Sequence, residues 1–201
     1  MTRGAVILCG GRSTRMGRDK ATLPFGEGTL LEHVVGILRP LVDEVTVVGR
    51  RDQSLPALPD DVQVAYDAVE DLGPLGGLQA ALTHTRSEAV YVSGCDTPFL
   101  APAFVQCLFD ALGDARIAVA EQGGFTHPLA AVYRRDVLPT VEALIAQERM
   151  RPVFLFEEVA TVRVQDEALR AADPELRSLE NMNTPEAYEA ARARLAGEGG
   201  A

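Results

Sequence analysis

From Leu8 to Lys20 the chain reads Leu-Cys-Gly-Gly-Arg-Ser-Thr-Arg-Met-Gly-Arg-Asp-Lys, an apolar strand end running into glycines, hydroxyls and cations. Such a segment suits a polyphosphate. Gly10 and Gly11 lack Cβ atoms, so the backbone can turn sharply and bring its N–H groups close to ligand oxygens. Arg15 and Lys20 then supply charge that amides alone cannot. Arg12, Arg15, Arg18 and Lys20 fall within nine residues that contain one acid, Asp19. The chain holds eighteen arginines and a single lysine, Lys20, so a compact ammonium with rotating donors replaces the planar guanidinium at one place only. The segment matches neither G-x-x-x-x-G-K-[ST] nor G-x-G-x-x-G, which argues against a P-loop kinase and against an ordinary dinucleotide dehydrogenase.

Two carboxylates answer these cations. In Ala-Val-Tyr-Val-Ser-Gly-Cys-Asp-Thr-Pro-Phe, residues 89 to 99, a buried-looking strand delivers Asp96 just past its end. Pro98 fixes the turn and Pro102 can start the next helix. Asp67 follows another strand candidate in the same way. Magnesium takes hard oxygen ligands, commonly one or two carboxylates together with substrate phosphates. Two carboxylates at one sheet edge, opposite a basic glycine loop, therefore point to a metal–triphosphate site, with Asp96 the acidic candidate. Both Lys20 and Asp96 are expected to face solvent.

These residues need elements to position them. Short β-branched runs at 4–8, 44–48, 62–66, 89–92, 117–120, 129–133 and 161–164 alternate with amphipathic stretches at 29–38, 75–83, 102–112, 135–147 and 185–195. That alternation is the pattern of βα units around a mainly parallel sheet, in which ligands bind at the carboxyl ends of strands. The length of 201 residues fits one domain, over 1–196, with a frayed tail at 197–201.

Composition excludes several function classes. A net charge of −10 is wrong for a nucleic-acid backbone, which requires a basic face. The longest apolar N-terminal run is too short for a signal peptide, and no run is long enough to span a membrane, so a cytoplasmic location is expected. Cys9, Cys95 and Cys107 show no C-x-x-C spacing and suggest neither a disulfide framework nor zinc. His33, His84 and His127 stand in unrelated contexts and receive no chemical role.

Taken in order, L-x-G-G-x-S-x-R-M-G-x-D-K at 8–20, Gly73-Pro-Leu-x-Gly-Leu78, Cys95-Asp-Thr-Pro-Phe99, His127-Pro-Leu-Ala-Ala-Val132 and Asn181-Met-Asn-Thr-Pro-Glu186 resemble the molybdenum cofactor guanylyltransferase family. The resemblance covers nearly the whole chain and implies a Rossmann-like fold with helices on both faces of the sheet. It implies transfer of GMP from GTP to molybdenum-bearing molybdopterin, with release of pyrophosphate and with Mg2+ as cofactor. The family's nucleotide contacts map onto Leu8, Cys9, Gly10, Lys20, Asp67 and Asp96, and Asp96 is the magnesium ligand. Arg15, Asn181 and Asn183 fall where the family faces the molybdopterin side, while Gly73 to Leu78 would line the nucleotide pocket. Recipient molybdoenzymes or their chaperones are the implied protein partners. Cys9 stands where alanine is frequent, and Val48 where some members place an asparagine against the nucleotide.

The expected nucleophile is a phosphate oxygen, anionic at neutral pH, so no Ser–His pair is required and none is evident. Alignment for in-line attack and charge stabilisation by Lys20, Arg15 and the loop amides would carry the reaction. Transfer of CMP, a sugar phosphate acceptor, and a non-catalytic cofactor carrier are the alternative readings.

Overall fold

The computed structural model describes residues 1–9, 19–66 and 73–198. Gly10, Gly11, Arg12, Arg15, Arg18 and Asp67 lie outside the described residues. A seven-stranded sheet forms the centre, in the order β5-β4-β1-β6-β8-β7-β9. Its members are β1 (Arg3–Leu8), β4 (Glu44–Gly49), β5 (Val62–Tyr66), β6 (Ala89–Gly94), β7 (Ile117–Gln122), β8 (Phe125–Arg134) and β9 (Thr161–Val164). A small antiparallel pair, β2 (Pro24–Phe25) and β3 (Gly28–Thr29), stands apart. The sheet is wound outward from β1 in both directions, first to β4 and β5 and later to β6, so the strand order reverses between β1 and β6. That reversal opens a crevice at the carboxyl ends of the two strands.

Alternation along the strands divides the core in two. Ala5, Ile7, Val45, Val47 and Tyr91 face α1 (Leu30–Leu38), α3 (Pro102–Ala111) and α6 (Asp166–Ala172). Val6, Val48, Val90 and Val92 face α2 (Gly73–His84), α4 (Leu138–Ala146) and α5 (Pro152–Glu158). Central strands buried on both faces read as continuous apolar runs, as these do. Helix α1 starts where its sequence dictates: Thr29 accepts from Glu32 N–H, and the Glu32 carboxylate accepts from Thr29 N–H at 2.7 Å, a reciprocal cap. A third cluster joins Leu23, Phe25 and Leu30 to Met182, Tyr188 and Ala191, the last two on α7 (Pro185–Glu198).

The sheet and most helices fall where the periodicity places them. The differences have local causes. The strand expected at 129–133 is the second half of the longer β8, which runs antiparallel to both β6 and β7. Gly123 and Gly124, at φ 56° and 82°, make the tight β7–β8 turn that a side chain would strain. The helix expected from 135 is a 3-10 turn at Arg135–Val137 followed by α4, whose first turn holds Pro139. Helices α5 and α6, of seven residues each, are too short for their period to stand out.

At the opposite, amino edge of the sheet, Glu44 ties β4 to the loop after α2. Its carboxylate accepts from the hydroxyls of Thr85 and Ser87 and from the amides of Arg86 and Ser87. Burial alone would raise its pKa, but these hydrogen bonds outweigh it and hold the carboxyl below its ordinary value. A depressed folded pKa stabilises the protein above the unfolded value, and that contribution disappears as pH falls through the folded value. Glu44→Gln is therefore expected to lower stability by about 1–2 kcal/mol near neutral pH. In urea melts the gap to the parent should narrow as pH falls through the carboxyl's depressed folded value.

Candidate active site

Two strand ends place the functional groups. In the β1–β6 register Leu8 pairs with Gly94, and Cys95 N–H donates to the Leu8 carbonyl at 3.2 Å. On the other side Cys9 N–H donates to the Val48 carbonyl at 2.8 Å. Leu8 and Cys9 thus emerge beside Cys95 and Asp96 at the crevice where the strand order reverses. The turn carrying Asp96 is held from several directions. Thr97 hydroxyl donates to the Gly94 carbonyl at 3.1 Å and lies 2.9 Å from the Ser93 hydroxyl. His33 Nε2 lies 2.9 Å from the Pro98 carbonyl, and since a carbonyl only accepts, that nitrogen carries the proton.

Lys20 opens a short 3-10 turn, Lys20–Thr22, capped by Asp19, whose Oδ1 accepts from Ala21 N–H at 3.0 Å. Its ammonium donates to Asp96 Oδ2 at 2.8 Å and to Asn183 Oδ1 at 2.7 Å. Three residues distant in sequence and expected to share a site therefore meet at one nitrogen. The expectation that Lys20 and Asp96 face solvent is corrected: their side chains are only 16% and 17% exposed. Each is covered because the other, with the C-terminal segment, closes over it. Met182 N–H donates to the Asp96 carbonyl at 3.0 Å while its side chain sits in the third apolar cluster, which lays the 181–183 segment across the site. Asn181 is exposed on that segment, and its carbonyl accepts from Asn183 N–H. Helix α2 closes the crevice from below: a Cβ at Gly77 would come within 2.9 Å of the Leu8 side chain.

Val48 is buried in the core facing α2. Its side chain packs there with Val6 and Leu75, and its carbonyl anchors Cys9. Residues that the sequence reading passed over also contribute. A Cβ on Gly94 would lie 2.5 Å from Asp96 Oδ1, so only glycine leaves room for this carboxylate. Gln53, just beyond β4, donates from Nε2 to Asp19 Oδ1 at 2.9 Å and to the Cys9 carbonyl at 3.3 Å. No motif marks Gln53; the only hint is its place after a strand that neighbours β1.

The site's chemistry is that of oxygens and cations. The buried Cys9 thiol is no nucleophile, because its hydrogen bond with Cys95, burial, and the nearby Asp19 and Asp96 charges push its pKa well up. Asp96 and Asn183 direct two hard oxygens at one cationic group. Among the described residues no cluster of three His, Cys, Asp or Glu side chains could enclose a metal. This donor set suits a cation that takes one protein carboxylate and completes its shell from a substrate, as magnesium does.

Removing the ammonium leaves the Asp96 carboxylate mostly buried and uncompensated. Without ligand, Lys20→Met is expected to lower the melting temperature by roughly 2–6 °C. The double variant Lys20→Met/Asp96→Asn should recover part of that loss, giving a non-additive cycle by calorimetry.

Comparison with known proteins places this geometry among relatives. The model of the MobA-like NTP transferase domain matches residues 5–163. A probable molybdenum cofactor guanylyltransferase of Methanosarcina mazei is 38% identical, with 93% of this chain and 88% of the relative aligned. Its counterpart in Methanosarcina acetivorans is 36% identical over 98% and 93%. Among solved structures, the molybdopterin-guanine dinucleotide biosynthesis protein A of Archaeoglobus fulgidus superimposes with a TM-score of 0.80, at 23% identity over 96% and 99% of the two chains. A nucleotidyl transferase from Methanothermobacter shares the fold at a TM-score of 0.72, 18% identity and 98% coverage of both. With its matched span, its close curated relatives and a doubly wound sheet of the same form, the chain belongs to the MobA-like NTP transferase family.

Proposed function

We propose that this protein transfers GMP from GTP to the terminal phosphate of molybdopterin bearing molybdenum, forming the guanine dinucleotide cofactor and releasing pyrophosphate. The observation that carries the reading is the meeting of Lys20, Asp96 and Asn183 at the strand-order reversal, beside the start of the glycine-rich segment. The names borne by the relatives from Methanosarcina supply the substrates.

In this reading the main chain at Leu8, Cys9, Gly10 and Gly11, together with Lys20 and Asp67, holds the nucleotide. Arg15, Asn181 and Asn183 face the molybdopterin. Asp96 would hold Mg2+, which when bound neutralises charge on the triphosphate. The acceptor phosphate oxygen attacks the α-phosphorus of GTP, one P–O bond forms, and the bond to the β-phosphate oxygen breaks. No general base is needed for an anionic nucleophile. The Lys20 ammonium leaves Asp96 and Asn183 for phosphate oxygens and stabilises charge moving onto pyrophosphate. Asn183, within 2.7 Å of that ammonium, stands at the junction between nucleotide and acceptor, so its release from Lys20 couples the two halves of the site. A cytoplasmic location and delivery of product to molybdoenzymes or their chaperones complete the proposal.

The test is pyrophosphate release from GTP, molybdenum–molybdopterin and Mg2+. Turnover with GTP at a rate well above that with CTP supports the assignment. Preference for CTP, or nucleotide binding without release, would refute it in favour of a cytidylyl enzyme or a carrier. Asp96→Asn should reduce kcat about 100-fold or more. Gly94→Ala, which displaces the same carboxylate, should reduce it at least about tenfold while the overall fold is kept, as checked by circular dichroism.

A further inference from the structure

We propose that Gln53 is a positioning residue that clamps the two ends of the glycine-rich segment and thereby sets its readiness for the triphosphate. The inference rests on the nucleotide site proposed above.

Cys9 precedes the glycine-rich stretch and Asp19, the cap of the Lys20–Thr22 turn, follows it ten positions later. One side-chain nitrogen reaches both ends: Gln53 Nε2 is 3.3 Å from the Cys9 carbonyl and 2.9 Å from Asp19 Oδ1. Both amide hydrogens are thus committed, one to each end. The remaining atom is also used, since Gln53 Oε1 accepts from Arg50 N–H at 3.0 Å, and Gln53 N–H donates to the Arg50 carbonyl at 3.1 Å. Gln53 is only 9% exposed, so the amide works out of water, where a hydrogen bond to a carboxylate is strongest. Glycine at 49 permits this approach, because a Cβ there would lie 3.0 Å from Oε1.

The chemistry of an amide is needed here. Two acceptors face one position, so a carboxylate would repel both, and a single hydroxyl could satisfy only one. The link belongs to β4, which already grips Cys9 N–H through the Val48 carbonyl. Both main-chain polar groups of Cys9 are therefore held from the β4 side, while Asp19, which precedes Lys20, is held by the same amide. Joining the ends in advance removes loop-closure entropy that the nucleotide would otherwise have to overcome. The same gain applies to ground state and transition state, so it shows in KM for GTP and not in kcat.

The decisive variant is Gln53→Met, which keeps the buried volume and loses every side-chain hydrogen bond. Amide hydrogen exchange of the peptide covering residues 9–20, measured without nucleotide, should accelerate about tenfold. KM for GTP should rise by a similar factor with kcat within about threefold of the parent. If Gln53→Met does not fold, Asp19→Ala cuts the same link from the segment's side and should give the same exchange result. The exchanged pair Gln53→Glu/Asp19→Asn restores a donor–acceptor bond of reversed polarity and should bring exchange and KM back toward the parent, whereas Gln53→Glu alone should not. Parental exchange and KM in a well-folded Gln53→Met would overturn the inference, as would an exchanged pair no better than Gln53→Glu. A parent that released no pyrophosphate would refute the reading of the site itself, while the exchange measurement, which uses no nucleotide, would still judge Gln53.

Discussion

The ion pair between Lys20 and Asp96 is the constraint around which the site is arranged. Two charges four-fifths buried are favourable only when geometry and neighbouring hydrogen bonds are both good, since desolvation otherwise exceeds the Coulomb gain. Every element near them serves that geometry. The β1–β6 register brings the strand ends together, Gly94 gives the carboxylate room, and Thr97 and His33 fix the turn. The Asn183 oxygen answers a second ammonium hydrogen. A pair held this way keeps a cation on the carboxylate.

The third apolar cluster explains why the chain's last quarter belongs to the site. Phe25 on the small hairpin packs edge-on to His33 and Phe99, and Tyr188 of α7 donates its hydroxyl to the Pro24 carbonyl. Met182 is buried between these groups and binds the Asp96 carbonyl through its own amide. Apolar burial of about 1.5–3 kcal/mol per large side chain thus anchors a segment that would otherwise lie free, and so presents Asn183 to Lys20. His33, which had no chemical role in the sequence, acts here as a strut under the acidic turn.

Electrostatics on two scales also coexist. A chain of net charge −10 repels a triphosphate at long range, yet residues 12–20 hold four cations, Arg12, Arg15, Arg18 and Lys20, against one acid. Local charge can outweigh the net value only within about a Debye length, so attraction of an anion to such a segment is short-ranged.

The strands, most helices and the acidic turn were legible in the sequence because each is local. Apolar runs mark buried strands, an apolar stripe marks α1, and a strand end followed by Asp96 and Pro98 marks the turn. The antiparallel sense of β8 was not legible, since alternation records which face is buried and not the direction of the chain. Burial of Lys20 and Asp96 could not be read either, because each is covered by the other and by a segment more than eighty residues away. Gln53 shows the limit most clearly: its type is common, its loop unremarkable, and its role exists only because pairing of β4 with β1 brings one amide between Cys9 and Asp19. Sequence alone determined which chemical groups were present and near which strand ends. The tertiary structure decided which of them meet, because hydrogen bonds and ion pairs act over about 3 Å and only the packed sheet sets distances that small.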